Sequence, residues 1–86
     1  MPTVYLVECY DGSFYTGWTT NLEKRIETHN KGLGARYTRS RIPVELRYAE
    51  EVPDKSTALK REYQIRKMKR IQKLALSEVY SNRKQE

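Results

Sequence analysis

Two nitrogen-bearing side chains share the apolar face of the first predicted helix. Leu22, Ile26 and His29 repeat at helical spacing, and Arg25 lies on the same face, four residues before His29. A buried arginine is unfavourable unless it meets an anion, so Arg25 and His29 form a candidate patch of two donors. The structural alternative is that Arg25 borders the apolar stripe and extends its guanidinium to solvent.

A lone carboxylate interrupts the second predicted helix. The apolar stripe of this helix consists of Ala58, Leu59, Ile65 and Met68. Glu62 lies in the middle of that stripe, and hard divalent cations prefer carboxylate oxygens as ligands. Glu62 is therefore a candidate metal ligand. An ion pair with Arg61, with Arg66 or with a residue elsewhere in the fold is the structural alternative.

Tyrosine supplies 7 of the 86 residues, and two of them, Tyr5 and Tyr15, flank a predicted hairpin. A tyrosine usually fills core volume and places its hydroxyl group on a partner. It can also stack on a nucleic-acid base or act as a general base where positive charge draws off its proton. Tyr5 and Tyr15 are therefore candidate catalytic residues, with the core interpretation left open.

The positive charge of the chain is concentrated in one region. Residues 55–73 hold eight basic side chains and one acidic side chain, whereas the rest holds nine basic and ten acidic ones. Such a surface attracts polyanions and favours nucleic acid, DNA first, as the partner; a solvated helix face is the alternative. The predicted contacts lie in the second helix and in the arginine-rich loop before the third strand: Lys60, Arg61, Arg66, Lys67, Arg36, Arg39 and Arg41.

Six short elements must position these residues. The hydropathy pattern predicts strands over residues 3–9, 13–18 and 43–52 and helices over residues 21–31, 57–69 and 71–80. Three short strands cannot bury themselves, so the helices must cover them. The expected fold is α+β, a three-stranded antiparallel sheet flanked by helices in the order β-β-α-β-α-α.

Local signals set the predicted boundaries. Thr20 and Glu23 resemble a capping box, and Ser56 can cap the second helix. The third helix repeats an apolar stripe of Ile71, Leu74, Ala75 and Val79. At the hairpin, a two-residue turn would put the two candidate tyrosines on opposite faces of the sheet, whereas a three-residue turn with a bulge puts them on one face. We predict the three-residue turn.

Length and composition exclude several classes of protein. The 86 residues allow one domain, which we assign to residues 1–80, followed by a polar tail at 81–86. Cys9 is the single cysteine, so the chain has no internal disulfide and no zinc finger. We find no apolar window of membrane-spanning length and no signal peptide. We therefore expect a cytoplasmic protein with no membrane partner.

The candidate residues occur in the order of a known family. Val4-Tyr5-Leu6 resembles the first motif of the GIY-YIG endonucleases, and Tyr15-Thr16-Gly17 resembles the second. Arg25, His29 and Glu62 match the family's helix arginine, the histidine one turn later and the metal-binding glutamate. The resemblance covers nearly the whole chain and extends to small stand-alone bacterial members and to the catalytic domain of branched-DNA endonucleases.

The resemblance implies hydrolysis of DNA. Glu62 would hold one divalent cation, Mg²⁺ or Mn²⁺, at the scissile phosphate. Tyr5 or Tyr15 would take the proton of the attacking water, and the choice between them stays open. Arg25 would hold the phosphate, and His29 would orient the tyrosine or share its proton.

Three positions differ from the family pattern. Trp18 follows the second motif where many relatives have lysine, Thr3 precedes the first motif in place of glycine, and Leu74 lies near the place of a polar residue. A non-catalytic nucleic-acid-binding module is therefore the alternative function, and a basic module for a protein partner is a third. A chain this short also leaves room for a protein partner that supplies targeting.

Overall fold

The computed structural model describes residues 1–84, and its elements follow the predicted order. They are β1 (Thr3–Glu8), β2 (Phe14–Thr19), α1 (Leu22–Asn30), β3 (Glu45–Glu51), α2 (Lys55–Arg66) and α3 (Arg70–Lys84). The strands form one antiparallel sheet in the order β2-β1-β3, which confirms the α+β fold class. Within residues 1–84, no helix has the length and hydropathy needed to cross a membrane.

The hairpin between β1 and β2 has the predicted three-residue turn. The Cys9 N–H donates to the Ser13 carbonyl at 2.8 Å, and Gly12, with a φ of 84°, takes the left-handed conformation of the turn. Tyr15 therefore lies opposite Val7, two residues from Tyr5 on β1. The two candidate tyrosines share one face of the sheet, as predicted.

Each face of the sheet carries its own core. On one face, α1 packs with Leu22 and Ile26 against a cluster made of Tyr5, Val7, Cys9 and Val44. On the opposite face, α2 and α3 cover a cluster made of Val4, Leu6, Tyr48, Val52, Ala58 and Ile65. Because β2 pairs with β1 alone, its outer edge is one of the two open edges of the sheet.

Two helix caps differ from the prediction. Asn21, and not Thr20, caps α1, because its side-chain oxygen accepts the Lys24 N–H at 3.1 Å. Asp54, and not Ser56, caps α2 by accepting the Thr57 N–H at 2.7 Å. Asn21 ranks above Thr20 as a capping residue, whereas Asp54 and Ser56 rank about equally.

The third strand is shorter than predicted. It begins at Glu45, because the Asn30 side chain hydrogen-bonds both backbone groups of Val44. The Asn30 side-chain oxygen accepts the Val44 N–H at 2.7 Å, and the Asn30 side-chain amide donates to the Val44 carbonyl at 3.2 Å. A side chain of α1 thus takes the place of a ladder partner before the strand starts.

The third helix is longer than predicted and rotated from the expected orientation. It runs to Lys84, so the predicted domain boundary at residue 80 falls inside it, and residues 85 and 86 of the predicted tail lie outside the described residues. The apolar stripe that predicted this helix faces outward, with Ile71 74% exposed. Leu76 and Tyr80 face the sheet instead, and the Tyr80 ring packs edge-on against Tyr48. On α2, Leu59 is likewise exposed.

Candidate active site

A buried tyrosine–histidine pair forms the centre of the site. β1, the middle strand, supplies Tyr5, and the last turn of α1 supplies His29; both side chains are almost fully enclosed. The Tyr5 hydroxyl lies 2.8 Å from Nε2 of His29. Arg25, one turn earlier on α1, donates from Nε to the Tyr5 oxygen at 3.3 Å. Three of the predicted site residues are thus in direct contact.

Thr38 extends this chain of contacts on the far side of the imidazole. Its hydroxyl lies 2.8 Å from Nδ1 of His29 and 3.0 Å from the Ala35 carbonyl, which can only accept. Of the two neutral tautomers of the imidazole, only the one with its proton on Nδ1 gives every contact its own hydrogen. In that state Nδ1–H donates to Thr38, Thr38 donates to Ala35, and Tyr5 donates to the unprotonated Nε2.

Burial sets the protonation states at neutral pH. Enclosure of the imidazole, with a smaller effect from the Arg25 charge, lowers the pKa of His29 to about 4. Burial also raises the pKa of Tyr5, although Arg25 opposes that increase. At neutral pH His29 is therefore neutral: it donates from Nδ1 to Thr38 and offers the lone pair of Nε2 to Tyr5. Arg25 remains a donor.

Two glycines leave the space that this pair needs. A Cβ on Gly17, which lies opposite Tyr5 on β2, would stand 2.6 Å from the Tyr5 hydroxyl oxygen, closer than real Cβ atoms come. A Cβ on Gly34 would overlap the His29 ring in the same way. The third residue of the second motif is therefore glycine for a steric reason.

Tyr15 stands on the solvent side of the pair. Its ring centroid lies 6.5 Å from that of Tyr5 and 5.5 Å from that of His29. Its other neighbour is Tyr37, stacked at 6.1 Å, and the Arg41 guanidinium lies 4.0 Å from the centroid of the Tyr37 ring. Tyr15 is half-buried, so its access to solvent exceeds that of Tyr5.

Glu62 lies on α2, which covers the other face of the sheet. Its side chain is 17% exposed and forms an ion pair with Arg66, from Oε1 to Nη2, at 2.8 Å. The sequence left that ion pair open as an alternative. Burial is the main cause of the raised pKa of Tyr5, and Arg25 opposes it. Tyr15 and, last, the Glu62 carboxylate add smaller increases, so Glu62 acts on Tyr5 through its charge.

The donor set fits a cation that keeps much of its water. Among residues 1–84, no group of three or more His, Cys, Asp and Glu side chains surrounds a common point. Mg²⁺ is typically bound through one or two carboxylates, with waters and substrate phosphates as its other ligands. Glu62 alone therefore suits such an ion, provided that Arg66 releases the carboxylate.

The predicted nucleic-acid contacts fall into two groups. Four are exposed and form no ion pair within residues 1–84: Arg36, Arg39, Lys60 and Lys67. The other three form ion pairs: the exposed Arg66 with Glu62, Arg41 with Asp11 at 3.0 Å, and Arg61 with Glu50 at 2.6 Å. Arg61 thereby points toward β3, away from the Tyr5–His29 pair.

An open groove of about 280 Å³ runs along the outer edge of β2. We call it the edge groove; it is lined by Phe14, Tyr15, Thr16, Tyr37, Arg66 and Lys73. Tyr15 comes from the face of the sheet that holds Tyr5, and Arg66 comes from the helix that holds Glu62. The edge groove thus joins the two halves of the site.

The roles of three residues at this site, Thr38, Lys73 and Gly17, are not evident from the sequence. Thr38 lies in a loop whose only evident signal is its arginines, and nothing local links it to His29. Lys73 is one of eight basic residues between positions 55 and 73. Gly17 was part of a recognised motif, but its role depends on the register of two strands.

Comparison with known proteins supports the family resemblance seen in the sequence. The family model described as the GIY-YIG catalytic domain matches residues 1–75. A UPF0213 protein of Halobacterium salinarum is 51% identical over 76 residues, which cover 88% of this chain and 99% of that protein. A UPF0213 protein of Clostridium perfringens is 57% identical over 76 residues, covering 88% of this chain and 82% of the relative.

A solved structure agrees with both the sequence and the fold. The solution NMR structure of a UPF0213 protein from Bacillus halodurans has 41% sequence identity and a TM-score of 0.57, over 92% of this chain and 85% of that one. GIY-YIG nucleases generally use divalent metals and act on nucleic acid. The family model, the relatives and the fold agree, and the chain belongs to the GIY-YIG family, whose catalytic domain implies a nuclease-type function.

Proposed function

We propose that this protein is a metal-dependent endonuclease that hydrolyses phosphodiester bonds in DNA. The observation that carries the proposal is the 2.8 Å hydrogen bond between the Tyr5 hydroxyl and Nε2 of His29. It joins an oxygen that can take a proton from water to a nitrogen that can take the proton leaving that oxygen.

The proton path uses atoms already in contact. As the Tyr5 oxygen accepts a proton from the attacking water, the hydroxyl proton of Tyr5 moves to Nε2 of His29. The imidazolium so formed keeps both N–H groups hydrogen-bonded, to Tyr5 and to Thr38. Because its pKa is about 4, the imidazolium does not keep this proton at neutral pH and releases it to solvent.

Arg25 would hold the phosphate beside this path. One of its five N–H donors goes to Tyr5, and the others can reach phosphate oxygens in the fork geometry that guanidinium favours. Glu62 would hold the divalent cation, Mg²⁺ or Mn²⁺, whose charge offsets the negative charge that develops on the phosphate.

Tyr15 is the alternative general base, because it is half-buried and lines the edge groove. The substitutions Tyr5→Phe and Tyr15→Phe separate the two roles. If Tyr5 is the base, Tyr5→Phe should lower kcat by about 10²- to 10⁴-fold, and Tyr15→Phe should change mainly KM. The opposite result would assign the base to Tyr15.

A non-catalytic nucleic-acid-binding module is the second candidate function. The observation that favours it is the ion pair between Glu62 and Arg66, which occupies the carboxylate. In this case the basic surface would bind the DNA backbone, and the Tyr5–His29 pair would only stabilise the core.

One experiment separates the two functions. The pure protein is incubated with end-labelled branched, duplex and single-stranded DNA in Mg²⁺ or Mn²⁺, beside Glu62→Ala and the matched control Glu78→Ala, an exposed glutamate on α3. An endonuclease predicts cleavage by the parent and by Glu78→Ala, and none by Glu62→Ala. The binding module predicts salt-sensitive binding by all three without cleavage, and equal cleavage by all three would mean a contaminating nuclease.

A further inference from the structure

The edge groove contains a lysine without an acidic partner. Lys73, from α3, is half-buried there, and no carboxylate of residues 1–84 is paired with it. Burial and the nearby Arg66 charge both lower the pKa of the Lys73 ammonium group. A cation that is partly desolvated and next to a second cation is unfavourable unless an anion joins it.

The surroundings of Lys73 add positive charge. Arg66 lines the same groove, and its one carboxylate partner is Glu62. Arg70, at the start of α3, donates to the Gly12 carbonyl at 2.7 Å and lies 5.1 Å from the centroid of the Phe14 ring. These cations belong to α2 and α3 and approach the edge of β2 from the face that those helices cover. The electrostatic potential in the groove therefore favours an anion.

Aromatic side chains form the rest of the groove's apolar lining, and we call them the aromatic wall. They are Phe14, on the face of the sheet that α2 and α3 cover, and the stacked pair Tyr15 and Tyr37. Their rings offer apolar surface on which a deoxyribose or a base can lie. A wall of this kind beside two cations matches a nucleotide unit, which pairs an anionic phosphate with an apolar sugar and base. A free inorganic anion would not need it.

We propose that the edge groove binds one nucleotide of the substrate backbone, next to the phosphate that is cleaved. Lys73 and Arg66 hold the phosphodiester oxygens, and the aromatic wall contacts the sugar or base. The groove borders Tyr15, which is why the bound nucleotide is adjacent to the scissile one. That adjacency rests on the proposed endonuclease function, whereas binding in the groove does not.

The test measures binding without catalysis. In a Glu62→Ala background with a chelator present, the affinity for a labelled single-stranded 12-mer is measured by fluorescence anisotropy over a range of salt concentrations. The variants are Lys73→Gln, Lys73→Arg and the control Lys55→Gln. Lys55 is an exposed lysine at the opposite end of α2, about 16 Å along the helix axis from Arg66.

Loss of one phosphate contact should reduce the slope of log affinity against log salt by about 0.7 for a single strand. We expect that reduction for Lys73→Gln, recovery of the parent slope for Lys73→Arg, and a smaller change for Lys55→Gln. Equal slopes for Lys73→Gln and Lys55→Gln would overturn the proposal, since Lys73 would then be one charge of a general basic surface.

The outcomes separate the two proposals. If the parent protein never cleaves DNA but Lys73→Gln shows the specific loss, the endonuclease is wrong and the nucleotide site stands. If the parent cleaves DNA but Lys73→Gln and Lys55→Gln show equal salt slopes, the endonuclease stands and the nucleotide site is wrong. A loss of affinity that Lys73→Arg does not recover would also contradict the proposal.

Discussion

Replacing Thr38 by valine tests the proton arrangement at the centre of the site. Valine has nearly the shape of threonine but no hydroxyl, so Thr38→Val removes the acceptor for the His29 Nδ1–H and one donor to the Ala35 carbonyl. That carbonyl also accepts the backbone N–H groups of Thr38 and Arg39, at 3.1 and 3.2 Å. The loss therefore falls on the imidazole, which is fully buried.

The size of the effect follows from that burial. A buried donor left without a partner costs about 1–3 kcal/mol, so we expect urea unfolding to show a destabilisation in this range. The imidazole can limit the loss by moving its proton to Nε2. Nε2–H would then donate to the Tyr5 oxygen and could no longer receive the Tyr5 proton. The cleavage rate of the proposed endonuclease would then fall by as much as about 10²- to 10⁴-fold, which is the contribution that a general base usually makes to the rate.

Nitrogen NMR of the imidazole reads the proton position directly. His29 is the single histidine, so its ring signals need no assignment. Above pH 5 the parent should show a protonated Nδ1 and an unprotonated Nε2, and Thr38→Ser, which keeps the hydroxyl, should show the same. Thr38→Val should move the proton to Nε2. A parent with its proton on Nε2, or a Thr38→Ser variant that behaves like valine, would refute the reasoning.

Further predictions concern pH, space and charge. The pKa of His29 is about 4 in the folded protein, below the ordinary imidazole value of 6.5 that applies to the unfolded chain; the folded value is the lower one, so the stabilisation is complete above pH 6.5 and decreases as the pH falls toward 4. At about 1.4 kcal/mol per pH unit, the loss of unfolding free energy is at most about 3 kcal/mol, measured by urea unfolding from pH 7 to 4. Gly17→Ala should displace the Tyr5 ring and destabilise the fold by about 1–3 kcal/mol, seen as a changed ring spectrum and a lower Tm. Arg66→Gln should raise the affinity of Glu62 for Mn²⁺ roughly twofold by calorimetry without DNA, since an exposed pair of this spacing contributes about 0.3–0.5 kcal/mol.

Each of these predictions has a control. His29→Gln should lack the decrease in stability between pH 6.5 and 5, where carboxylates titrate little. Gly12→Ala places a Cβ where no atom lies within 4 Å, so it should strain the turn through its positive φ without moving the Tyr5 ring. A weaker affinity for Mn²⁺ in Arg66→Gln would mean that Arg66 does not compete for Glu62.

The element order and the register of the hairpin were predictable because short-range chemistry determines them. The Asp-Gly turn requires a positive φ at Gly12, and the two-residue period of a strand then fixes which face Tyr15 shares with Tyr5. The orientation of α3 was not predictable in this way. The helix carries two apolar stripes, and the stripe with Leu76 and Tyr80 faces the sheet because Tyr80 packs against Tyr48, a residue more than thirty positions earlier.

The site was only partly predictable for a similar reason. Helical spacing predicted that Arg25 and His29 share a face, and the family resemblance added Tyr5; the structure shows the three side chains in contact. The protonation of His29 depends instead on its enclosure and on Thr38, and both are set by how the loop after α1 packs. No pattern of nearby residues encodes a contact between a loop hydroxyl and a helix imidazole.

The order of the elements along the chain also gives the site an order of assembly during synthesis. Tyr5, Arg25, His29 and Thr38 all precede β3, whereas Glu62 lies in α2, after it. A growing polypeptide therefore exposes every partner of the imidazole before it exposes the carboxylate. While translation is under way, the nascent protein holds the groups that move protons but lacks the group that would hold the cation, so the proposed cutting activity can arise only after α2 has left the ribosome.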